Sequence, residues 1–100
     1  MTALKIVWTP ASHRQFGELR QRAAEKGRLD EFIKIHAEIV EVLCDLDRAI
    51  EKSDPLYHTK KPGGIVRHLL HKFISVTFCV FPAEQAGWII TYRAAPAWWP

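Results

Sequence analysis

The alternation of apolar and polar residues divides the chain into strands and helices. Residues Leu4 to Trp8 alternate in the manner of a short strand. Thr9 and Pro10 then predict the start of a helix, because threonine caps helix N-termini and proline suits the first helical position. Apolar residues next recur at helical spacing as far as Gly27, which predicts a first helix and its end.

A second and longer apolar stripe runs from about Leu29 to Lys52 in steps of three and four residues. It predicts one continuous helix of roughly 35 Å, which folds back on the first helix as a hairpin. His36 lies on this stripe and is expected to be a core histidine. The segment Ser53-Asp54-Pro55 ends the helix, and Leu56 to Gly64 is predicted to be a loop.

The last third of the chain predicts three successive strands joined by tight turns. The strands are Ile65 to Lys72, Phe73 to Phe81 and Trp88 to Arg93. Alternation in the middle strand indicates one packed face and one more exposed face. The sequence therefore predicts a single α+β domain over residues 1–100, in which a two-helix hairpin packs on a mainly antiparallel four-stranded sheet. The element order is strand, helix, helix, strand, strand, strand.

Composition narrows the classes of function. One hundred residues with 48% hydrophobic content suffice for one core, and a net charge of +3 permits nucleic-acid contact without requiring it. Cys44 and Cys79 form no paired motif, and no nucleotide-binding or zinc-binding pattern occurs, so we expect no cofactor and no metal. No apolar run approaches the about 18 residues of a membrane helix, and the start lacks a secretory signal. We therefore expect a cytoplasmic protein without membrane contact.

Several segments, together with the element order, resemble the RelE/ParE toxin superfamily of bacterial type II toxin–antitoxin systems. They are IVWTPASHRQF at the start, DPLYHTKKPGGIVRHLL leading into the first late strand, and the pair ISVTFCV and GWIITYR. The resemblance implies a toxin-like protein with an antitoxin partner. Its ribosome-dependent members cut messenger RNA with residues on the open sheet face, and its other branch poisons DNA gyrase.

The resemblance also implies a set of site residues. Cleavage by attack of a ribose 2′-hydroxyl on the adjacent phosphate needs a base, an acid and cations. By their positions on the late strands, Arg67 and Arg93 match the positively charged residues of the family's site. His71 is the favoured base or acid, because it shares a strand face with Arg67. If the opposite face is open, His68 and Lys72 take their places. The expected RNA-binding or partner-binding residues are Lys60, Lys61, His68, Lys72, Tyr92, Trp98 and Trp99.

Two departures from the RNA-cutting members favour an alternative without catalysis. The middle late strand begins Phe73-Ile74-Ser75-Val76, without the arginine that such members commonly carry there. The chain ends Ala97-Trp98-Trp99-Pro100, where many members have a final helix or tail with a catalytic side chain. The alternative is a binding module of the same fold that contacts gyrase, an antitoxin or another protein. The two tryptophans then either cover the sheet edge or meet that partner.

Overall fold

The computed structural model describes residues 4–59 and 64–94 of the chain, apart from the side chains of His58 and Pro82. The helices are α1 (Pro10–Glu25), α2 (Leu29–Leu43) and α3 (Leu46–Glu51). The strands are β1 (Lys5–Trp8), β2 (Asp54–His58), β3 (Ile65–His71), β4 (Ile74–Phe81) and β5 (Ala86–Ala94). The predicted α+β class is confirmed, and the three late strands occur where they were expected.

The sheet has the strand order β1-β5-β4-β3-β2. Its first pair, β1 with β5, is parallel, and the other three pairs are antiparallel. The prediction of four strands is wrong by one, because Asp54–His58 forms an edge strand where a loop was expected. Pro55 is tolerated there, since an edge strand has one side without ladder hydrogen bonds.

The predicted long helix is two helices. At Asp45 the backbone becomes extended, with φ −113° and ψ 114°, and the side chain accepts hydrogen bonds from the amides of Asp47 and Arg48. This carboxylate caps the N-terminus of α3 and therefore ends the preceding helix at Leu43. The apolar stripe is continuous across the break, so periodicity alone did not reveal it.

Local signals did define the ends of the first helix. Thr9 Oγ1 accepts a hydrogen bond from the Ser12 amide at 3.2 Å, which confirms the predicted cap. Gly27 follows the helix with φ +70°, a conformation that costs glycine little and other residues more.

The core lies between the helices and one face of the sheet. On that side β4 contributes Ile74, Val76 and Phe78, which are buried in the same cluster as Phe32 and Ile39 of α2. His36 is half-buried, and its Nδ1 lies 2.9 Å from the Tyr92 hydroxyl, among the rings of Trp8, Phe16 and Phe32. Within residues 4–59 and 64–94, no helix is long and apolar enough to cross a membrane.

Candidate functional site

Strand register decides which side chains lie on the face of the sheet opposite the helices, here called the open face. Ser75 and Thr77 alternate with the core residues of β4, and they pair with Arg93 and Thr91 of β5 respectively. His68 pairs with Thr77. The open face therefore carries the following residues of β3, β4 and β5, of which Val66 and Cys79 are buried: Val66, His68, Leu70, Ser75, Thr77, Cys79, Trp88, Thr91 and Arg93.

A row of four chemically different side chains crosses this face. Asp54 of β2 is the register partner of His68. The His68 Nε2 atom lies 2.6 Å from Ser75 Oγ, and Ser75 pairs with Arg93. The order across four strands is thus carboxylate, imidazole, hydroxyl and guanidinium. Such a row combines an imidazole and a hydroxyl, which can each donate and accept hydrogen bonds, with a permanent cation.

The cation of the row is accessible. Arg93 is exposed, and within the described residues its guanidinium forms no hydrogen bond or ion pair. The three central strands contain no acidic residue at all, since they read IVRHLLH, ISVTFCVF and AGWIITYRA. Asp54, on the edge strand, lies at the opposite end of the row from Arg93. An anion approaching Arg93 therefore meets little repulsion from the sheet.

One aromatic side chain lies on the same face, four residues along β4 from the polar row. Trp88 pairs with Cys79 on the open face and remains 39% exposed. Indole rings on an open sheet surface offer a stacking platform for nucleobases. The open face thus carries an exposed indole ring and, further along the strands, a row that ends in a permanent cation.

Arg67 does not belong to this face, so the prediction that it lies beside Arg93 is wrong. It pairs with Phe78 on the helix-covered side. Its Nε donates to Ser53 Oγ at 2.7 Å, and one terminal nitrogen donates to the carbonyls of Ile50 and Ser53, both at 3.1 Å. The guanidinium therefore satisfies carbonyl groups at the C-terminal end of α3.

His71 also lies on the helix-covered side, contrary to the favoured prediction. Its Nε2 is 2.9 Å from Glu38 Oε1 of α2, and Lys72 Nζ is 3.4 Å from the same oxygen. These bonds hold the pKa of Glu38 below its usual value, the His71 hydrogen bond being the largest cause. The cluster fastens the β3–β4 turn to α2. Of the alternative pair, His68 lies on the open face, whereas Lys72 points towards α2.

Tyr92 is buried on the helix side, and burial raises the pKa of its hydroxyl. It is thus placed away from the open face on which RNA contact was expected. Lys60, Lys61, Trp98 and Trp99 lie outside the described residues. Of the expected residues in the described ranges, only His68 and Arg93 share the open face.

Two members of the row, Asp54 and Ser75, were not expected from the sequence. Asp54 was interpreted as a helix-ending residue, because the edge strand was not recognised. Ser75 was seen only as a polar residue of the middle strand. The bulky residues of β4 did signal which face of that strand is packed. To infer that His68 lies on the unpacked face, one must also know how β3 pairs with β4 across the turn at Lys72 and Phe73.

The chain was compared with family models, with curated proteins and with solved structures, and none of the three comparisons found a match.

Proposed function

We propose that the protein binds single-stranded RNA on the open face and is a toxin-like endoribonuclease of the RelE/ParE type. The observation that carries the proposal is the row of His68, Ser75 and Arg93 across three adjacent strands. A phosphodiester placed over Ser75 would have an imidazole on one side and a guanidinium on the other.

The row suits transfer of a phosphoryl group to a 2′-hydroxyl. His68 would take the proton of the attacking 2′-hydroxyl, whose oxygen bonds to phosphorus as the bond from phosphorus to the 5′-oxygen breaks. The leaving 5′-oxygen would take a proton from solvent water, and Arg93 would stabilise the charge that develops on the phosphate oxygens. Ser75 would exchange its hydrogen bond with His68 for one with the substrate. Asp54, the register neighbour of His68, would orient the ring and stabilise its protonated form. Trp88 would stack on a neighbouring base.

The experiment is a cleavage assay with purified full-length protein, ribosomes and a messenger RNA. We expect cleavage by the native chain and loss of cleavage on His68→Ala. An Arg93→Ala variant should weaken RNA binding and reduce the dependence of the affinity on salt, because one phosphate contact is lost. Intact messenger RNA in the presence of the native chain would refute the catalytic part of the proposal. Affinity for single-stranded RNA that is unchanged by Arg93→Ala and Trp88→Ala would refute the binding surface.

A second candidate is a binding module without catalysis, whose partner is an antitoxin-like protein or DNA gyrase. The observation that favours it is the apolar surface of the edge strand β2, where Leu56 and Tyr57 are 53% and 61% exposed. No strand pairs with the outer side of β2 in the described chain, so an extended protein segment could add to it.

Co-expression with the product of the adjacent reading frame tests this second candidate. We expect a complex that Tyr57→Ser weakens and His68→Ala leaves intact. A supercoiling assay separates a gyrase-directed protein from one that binds only an antitoxin. Cleavage of messenger RNA by the native chain, abolished by His68→Ala, would favour the first candidate over the second.

A further inference from the structure

A cavity of about 330 Å³ lies between α1 and the end of β5. Its size is at the lower end of the range of small-molecule sites. One wall is a single stripe of α1 with helical spacing, and the other is the last part of the strand. The lining residues are Gln15, Glu18, Leu19, Arg22, Tyr92, Arg93 and Ala94.

The cavity exists because the first strand is short. β1 pairs with β5 only as far as Ile89, whereas β4 pairs with β5 as far as Ala94. Within residues 4–59 and 64–94, the last residues of β5 therefore have no strand on the side of α1. There, Gln15 Oε1 accepts a hydrogen bond from the Tyr92 amide at 2.8 Å. This bond fixes the Gln15 side chain at the rim of the cavity, with its Nε2 group still able to donate.

Some of the polar groups that line the cavity have no hydrogen-bond or ion-pair partner in the described chain. Within the described residues, Glu18 forms no ion pair or hydrogen bond, although two arginines line the same space. The cavity thus presents a carboxylate acceptor, an amide donor and the guanidinium of Arg93. Leu19 adds a buried apolar contact. A ligand that matches this set has adjacent hydrogen-bond donors on one edge, for the carboxylate, and acceptors on another edge, for the amide and the guanidinium.

We propose that the cavity binds a guanine base. Guanine carries N1–H and the N2 amino group side by side, which match one carboxylate, and its O6 and N7 acceptors match a guanidinium. Adenine and cytosine place a ring-nitrogen acceptor beside their amino group, so that Glu18 would face a lone pair. Uracil offers a single N–H between two carbonyl oxygens. Guanine is therefore the base whose donor and acceptor edges complement both a carboxylate and a guanidinium, the groups that Glu18 and Arg93 supply.

The position of Arg93 connects this cavity to the proposed RNA surface. Its side chain lines the cavity, and the residue lies opposite Ser75 on the open face. The five N–H donors of one guanidinium suffice to contact a base in the cavity and a phosphate on the open face at the same time. An RNA strand bound on the open face could therefore place one of its bases past the end of β5 and into the cavity beside α1. This inference rests on the proposed function, and it adds that the bound RNA should carry a guanine at one position.

The direct test is a calorimetric titration of the full-length protein with GMP, IMP, AMP, CMP and UMP. We expect GMP to bind most tightly. IMP, which lacks the 2-amino group, should bind about tenfold more weakly, because one hydrogen bond to a carboxylate is lost. The Glu18→Gln variant should remove most of the difference between GMP and IMP. Glu51→Gln, at an exposed position on α3, is the matched control and should preserve it.

A parallel titration with single-stranded RNA oligomers, with and without guanine, separates this inference from the proposed function. Equal binding of both oligomers, unchanged by Glu18→Gln, would overturn the guanine cavity while RNA binding stands. Preference for GMP without binding to either oligomer would support the cavity and count against the RNA surface. Equal affinity for all five mononucleotides would overturn the inference.

Discussion

His68 and His71 lie three residues apart on β3 and serve opposite faces of the sheet. Nε2 of His68 is 2.6 Å from Ser75 Oγ on the open face, and Nε2 of His71 is 2.9 Å from Glu38 Oε1 on the helix side. The difference follows from strand geometry, because successive side chains alternate between the two faces. Substituting each histidine in turn therefore separates an effect on the proposed cleavage from an effect on stability.

The first prediction uses this pair. His68→Ala should lower the rate of messenger RNA cleavage by about 10²–10⁴-fold, the usual effect of removing a general base. It should lower the free energy of unfolding by no more than about 1 kcal/mol, the usual contribution of one hydrogen bond such as that to Ser75. His71→Ala should lower the free energy of unfolding and leave cleavage close to native at a temperature where the variant is folded. Single-turnover cleavage and urea denaturation measure the two effects. A larger loss of cleavage with His71→Ala than with His68→Ala would contradict the assignment.

Arg67 is predicted to be a stability residue. Arg67→Ala should lower the free energy of unfolding by about 2 kcal/mol, because the carbonyls of Ile50 and Ser53 lose their charged donor. Arg93→Ala is the control, and should change stability by less than about 0.5 kcal/mol, as is usual at an exposed position. Urea denaturation at neutral pH measures both. Equal changes in the two variants would show that the contacts of Arg67 contribute little.

Glu38 should make stability depend on pH in the acid range. Its pKa is held below the ordinary value of 4.5 by the hydrogen bond from His71, with a smaller contribution from Lys72. A lowered pKa in the folded state means that this stabilisation is complete above pH 4.5 and is lost as the pH falls through the lower folded value. Melting temperatures measured across this range should fall less steeply for Glu38→Gln. Identical slopes for the two proteins would contradict the role of the Glu38 cluster.

His36 should produce a second pH dependence, at higher pH. Burial lowers its pKa below the ordinary value of 6.5. The unfolded chain therefore binds a proton near pH 6.5 that the folded chain binds only at lower pH, so stability falls as the pH decreases below that point. His36→Gln, which keeps a polar partner for Tyr92 and does not titrate, should flatten the melting temperature in this range. A slope that survives the substitution would assign the dependence to another group.

Gly27 should be sensitive to a side chain although nothing crowds it. No atom lies within 4 Å of a Cβ built there, but its φ of +70° is unfavourable for alanine. Gly27→Ala should lower the free energy of unfolding by about 1 kcal/mol. Gly17→Ala, inside α1 and equally uncrowded, is the control and should raise stability by up to about 1 kcal/mol, because alanine favours helix. Thermal unfolding measures both changes, and loss of stability in both variants would contradict the backbone argument.

Local chemistry was sufficient for part of the fold. Three predictions depend only on residues close in sequence, and the structure contains all three features. They are the cap at Thr9, the helix end at Gly27 and the late strands read from alternation. Asp45 carried a capping signal of the same kind, but the continuous apolar stripe around it favoured a longer helix. The edge strand was missed because a proline and turn-forming residues begin it.

The sequence by itself determined the α+β class, the starts of the first two helices and the presence of cations and histidines in the last third of the chain. Only the tertiary structure decided that Arg67 and His71 face the helices while His68 and Arg93 face outwards. The physical reason is that alternation defines two faces of a strand but does not say which one the helices cover. That choice depends on strand pairings and packing contacts between residues far apart in the chain, such as Glu38 with His71 and Gln15 with Tyr92.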